Sequence, residues 1–161
     1  MTLDEAFTQW MQKEEVTAAV TRCREIAAAL PKEYEEFAVL VGEGCIVGTQ
    51  ELLQHIGDAG IAMEKLGHER ANLTRPVVLL ERLTETLAES WKIHGVKAAE
   101  ASGEKAPAQW VVEAMFGARL LGEWAGTMHN ARGRVDALEV RSWSLERAAT
   151  RWEAILKWFG K

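Results

Sequence analysis

Only three prolines and two cysteines punctuate a chain of 161 residues. Two thiols do not make a disulfide framework. If the chain folds back at Pro31, Cys23 and Cys45 stand about 9 Å out of level at about 1.5 Å per residue, too far apart to bridge. Both read as free thiols of a reducing compartment. Long apolar runs are missing too. The longest, Phe37 to Gly48, is interrupted by Glu43 and is too short to cross a bilayer. The N-terminus is acidic and amphipathic, without the basic start and apolar core of a secretory leader. There is no surplus of basic charge either. The formal net charge is −5, which argues against a general nucleic-acid binder. The expectation is a cytoplasmic protein with neither a membrane nor a nucleic-acid partner.

What the chain has is helical periodicity. Fifteen positions from Trp110 to Phe159 alternate in steps of four and three, and fourteen of them lack a polar side chain. They include Leu121, Trp124, Met128, Val135, Leu138, Leu145 and Trp152. The same rhythm runs from Leu52 through Ile56, Leu66, Leu73, Leu80, Leu87 and Trp91 to Ala98. That period belongs to helices packed side by side over many turns. Ser102 to Pro107 is the clearest loop, so the two stretches should pair antiparallel across it.

Local signals set the expected boundaries. Thr2-Leu3-Asp4-Glu5 is a capping box, and helices are expected over 3–30, 32–56, 61–101 and 108–159. The register slips between Trp10 and Val16, which suggests a kink or a rotation of the buried face. Pro76 predicts a kink or break near 74–76. Gly133 and the capping box Asp136-Ala-Leu-Glu139 predict one near 130–136. Residues 37–48 read as helix, with a Gly-Glu-Gly hairpin as the alternative. The fold class is all-α in one domain, 1–161. It takes one of two forms: a four- or five-helix bundle with long antiparallel helices, or an elongated helical hairpin completed by oligomerisation.

Charge and tryptophan are unevenly placed. Residues 1–107 carry 11 basic and 18 acidic side chains, and residues 108–161 carry 8 and 6, with six arginines. The last third is where an acidic partner would bind. Of the seven tryptophans, Trp10, Trp91, Trp110, Trp124 and Trp152 fall on apolar stripes and read as core. Trp143 and Trp158 fall off them. With Arg147, Arg151 and Ile155 they make a second ridge at helical spacing. Two readings apply to this ridge: arginine stems lying over rings at the core edge, or a binding face, since Trp and Arg dominate interface hot spots.

Chemistry is harder to find. The string His129-Asn-Ala-Arg-Gly133 resembles the phospho-acceptor segment of histidine phosphotransfer domains, which are helical bundles. That resemblance implies His129 as acceptor, Arg132 as the basic neighbour and Gly133 as room for a response regulator. It covers about five residues, and it departs from the family pattern at Ala131 and Arg134. Glu51/His55 and Glu64/His68 are i, i+4 pairs, but 13 residues at about 100° each turn them away from one another. No metal site and no cofactor is expected, and no catalytic constellation is present. A third reading is a bundle holding an apolar ligand or a metal between its helices. The favoured one is a non-enzymatic protein-interaction or assembly module that self-associates, a dimer first, with Trp143, Arg147, Arg151, Ile155 and Trp158 as the binding residues.

Overall fold

The structure, a computed structural model, describes residues 2–37, 48–103 and 107–159. It is all-α: α1 (Leu3–Met11), α2 (Glu14–Ala29), α3 (Thr49–Ala101), α4 (Gln109–Arg119), a 3₁₀ turn (Leu121–Glu123) and α5 (Ala125–Phe159). No strand occurs among the described residues. They gather into two compact units. One holds residues up to Lys32 and Arg75–Ala131, the other Glu33–Thr74 and Arg132–Lys161.

In the first unit, the Thr2 hydroxyl accepts from the Glu5 backbone, and Glu5 accepts from the Thr2 backbone, closing the expected capping box. The slip after Trp10 is a real interruption, since α1 ends at Met11 and α2 begins at Glu14. Leu30 is extended (ψ 139°), as a residue before proline must be. The core gathers Ala6, Phe7, Trp10, Val20 and Cys23 around Leu80, Leu87, Trp91, Val112, Phe116 and Trp124. Three indole N–H groups find acceptors there. Trp10 donates to Ser90 Oγ (3.0 Å), Trp91 to the Val112 carbonyl (2.7 Å) and Trp124 to Thr84 Oγ1 (3.0 Å). The Trp91–Val112 and Trp124–Thr84 bonds set α3 antiparallel to α4 and to the start of α5. Gly95 permits the approach of α4, because a Cβ there would stand 2.9 Å from Val112 Cγ1. α3 ends with Gly103 at φ +69°, the left-handed turn that glycine takes without strain.

In the second unit, α3 and α5 also run antiparallel. Leu52 and Ala59 pack with Ala149 and Trp152. Arg134 reaches Glu69, and Arg70 reaches Glu139.

Four expectations need correction. The helix predicted over 32–56 is absent at 33–37, where Arg134 binds the Glu35 carbonyl and stacks over Phe37 (4.6 Å) and Tyr34 (5.4 Å). These tertiary contacts replace the helical ladder. The helix-or-hairpin question falls almost wholly on 38–47, outside the described residues. α3 starts at Thr49 rather than near 61, and of the kink or break expected near 74–76 the break does not occur, since α3 runs on through Gly57, Gly60 and Pro76. The proline is carried by packed turns on either side, with Leu73, Val77 and Leu80 buried. The second arm does not restart at Gly133, which lies inside α5. One exposed glycine costs only about 1 kcal/mol, and Ala131, Val135 and Leu138 are buried around it.

The arm breaks instead at 120–124, between α4 and α5. There Glu123 is held by both nitrogens of Arg24's fork (2.7 and 2.9 Å). Upstream of the break the buried residues are Val112, Phe116 and Leu120, and Trp110 is 71% exposed. The four-three rhythm through 110–121 therefore does not mark the core.

Candidate interaction face on the last helix

The second unit buries one side of α5. Leu138, Leu145, Ala149 and Trp152 are buried, and the Trp152 ring lies 5.5 Å from that of His55. Turning about 100° per residue, the opposite side of the helix carries Val140, Trp143, Arg147, Arg151, Ala154, Ile155 and Trp158. All seven are exposed. Trp143 is 53%, Val140 58%, Ile155 43% and Trp158 76% accessible. These are large values for apolar residues, and they recur on one line over five turns. Phe159, expected at the end of the core stripe, is 59% exposed and meets the Trp158 ring edge-on at 6.1 Å.

Arg147 and Arg151 complete this face. Neither makes an ion pair, hydrogen bond or ring contact with any described residue. Neither guanidinium lies over a ring among the described residues. Between Val140 and Trp158 no carboxylate falls on the outer line, because Glu146 and Glu153 turn to its flank. The five residues singled out from the sequence are thus brought together on one exposed strip.

Other candidates sort differently. His129, Arg132 and Gly133 all lie within α5. His129 is exposed, Gly133 faces open space and Arg132 is already engaged. Glu64 and His68 approach to 3.8 Å on an exposed turn. No cluster of three or more His, Cys, Asp or Glu side chains suited to a metal occurs among the described residues. Cys23 is buried, and burial pushes its thiol up against a smaller lowering by the Thr84 hydrogen bond. His94 is shifted down, first by desolvation and then by Lys13. A hydrogen bond to the Ala6 backbone opposes the shift, and its Nε2 is buried without a partner among the described residues.

The sequence reading missed Arg134, which it treated only as a departure from the phosphotransfer pattern. Its side chain is 10% exposed and joined to Glu69 through Nε (2.8 Å) and Nη2 (3.1 Å). A cleft of about 240 Å³ beside it is lined by Phe37, Lys65, Leu66, Glu69, Arg141 and Leu145 among others. No periodic signal marks Arg134, because the contacts that bury it come from 34–37, one hundred residues away in the chain. No helix among the described residues is long and apolar enough to cross a membrane. Searches against protein-family models, curated proteins and solved structures find no match.

Proposed function

We propose that this protein is a non-enzymatic helical interaction module whose working surface is the outer face of α5. One observation carries the reading. A helix packed on one side should present a polar opposite side. This one presents Trp143, Ile155 and Trp158 to solvent, with two arginines among them that pair with no described residue. Surface apolar residues scattered singly need no explanation, whereas large apolar residues recurring along one exposed helix face support a site of association. Trp and Arg are also the side chains that most often carry binding energy.

Self-association rests on the long in-phase stripes and on the off-stripe Trp/Arg ridge. From Leu52 to Ala98 every stripe position is buried or half-buried within the single chain. That stripe is thus largely occupied within the chain, whereas Trp110 and Phe159 of the other stand exposed, and the outer face of α5 is the surface on which we place association. A photo-cross-linking residue in place of exposed Ala154 tests this. It should yield discrete cross-linked protein species in cells, while the same residue at Glu25 on α2 should not. Equal, featureless labelling from both positions would contradict the reading.

A further inference from the structure

We infer that the outer face of α5 docks an acidic amphipathic helix of another protein. This rests on the interaction reading above and adds the partner's chemistry. Trp143, Arg147, Arg151 and Ile155 form a row at i, i+4 spacing, the kind of ridge that seats in the groove of a second helix. From Trp143 to Trp158 the ridge runs about 22 Å at about 1.5 Å per residue. A partner helix of about 15 residues covers it. In order, the ridge reads apolar, cationic, cationic, apolar, apolar.

The central arginines decide what fits. Covering the tryptophans also removes both guanidinium groups from water, and a buried unpaired charge is expensive. Within this chain neither has a carboxylate among the described residues; Arg24, Arg70, Arg119 and Arg134 each have one, and Arg22, Arg75 and Arg82 do not. The partner must supply them. Arg147 and Arg151 stand one turn apart, so the complementary helix carries two acidic residues about one turn apart at its centre. Apolar residues lie beyond them on both sides.

A second copy of the same face does not fit. A two-fold antiparallel pairing of the whole ridge puts its midpoint on the axis. The midpoint of 143–158 falls between Thr150 and Arg151, so Arg151 lies beside the axis and comes close to its own counterpart. Glu146 and Glu153 share one flank and would also meet like charge. A lipid surface fits no better, since interfacial helices bury an apolar centre and keep cations at the margins. Here the cations are central.

Selection of displayed helical peptides, randomised at the contacting positions, on the full chain tests this. The winners should carry Asp or Glu pairs one turn apart between apolar residues. Their affinity should fall at least tenfold on Arg147→Glu/Arg151→Glu and be lost on Trp143→Ser/Trp158→Ser, with helicity unchanged in both variants. Neutral or basic winners that still need the tryptophans would overturn the acidic partner and leave the interaction reading standing. Winners indifferent to the tryptophans, or none at all, would overturn both. Co-sedimentation with phosphatidylserine vesicles, lost on charge reversal, would overturn the helix in favour of lipid.

Discussion

Seven tryptophans in one small chain divide by what their indole nitrogens meet. Trp10, Trp91 and Trp124 are buried with an acceptor each. Thr84 serves Trp124 while donating its own proton to the Leu80 carbonyl (2.7 Å). Thr84→Val keeps the shape and leaves the Trp124 N–H buried and unpaired. Chemical denaturation should show a loss of about 1–3 kcal/mol. Glycines divide the same way. Gly95→Ala pushes a methyl into Val112 and the Trp91 ring, at 2.9 and 3.3 Å. Overpacking of about 1–3 kcal/mol outweighs the helix-propensity gain of about 1 kcal/mol, so stability should fall. Gly57→Ala meets nothing within 4 Å and should gain up to about 1 kcal/mol.

His94 makes the first unit sensitive to pH. Its folded-state pKa is held below the ordinary 6.5 by desolvation and Lys13. As pH falls through the unfolded ring's pKa, the unfolded chain takes up a proton that the folded chain resists. Stability is therefore lost on the acid side. Urea midpoints should decline from pH 7 to pH 5, and His94→Gln should flatten that part of the profile. An unchanged slope in the variant would contradict this origin.

At the scale of elements, what was legible followed from local rules. The capping box at Thr2, the slip after Trp10, the stop at Pro31 and the stripe from Leu52 to Ala98 each rest on a few neighbouring residues. The failures rest on competition between local and tertiary terms. Pro76 and Gly133 are weak helical points, yet both sit inside continuous helices because the turns around them are packed. Residues 33–37 read as helix, yet the chain there is not helical and the Arg134 guanidinium holds Tyr34, Glu35 and Phe37. The candidate face was legible because an off-stripe residue on a helix packed along one side must point outward. Its charge pattern followed from the same spacing. Arg134→Met should release the 33–37 segment. Cleavage by a glutamate-specific protease at Glu35 and Glu36 should accelerate several-fold, and the second unit should lose about 1–3 kcal/mol. Unchanged cleavage would mean that the segment is held by something else.

In the molecule as a whole, tryptophans that hold the fold stand apart from tryptophans that face outward, the ones we propose bind a partner. Trp91 and Trp124 belong to the core of the first unit, and Trp143 and Trp158 to the outer strip of α5. The direct test compares Trp143→Ser/Trp158→Ser with wild type in two readouts, the urea midpoint and the proteins recovered by quantitative affinity capture. The account predicts an unchanged midpoint, because truncating exposed side chains typically moves stability by only about 0.5 kcal/mol. It also predicts loss of the proteins enriched on wild type. A midpoint that drops as it would for a buried pair, or an undiminished set of captured proteins, would contradict it.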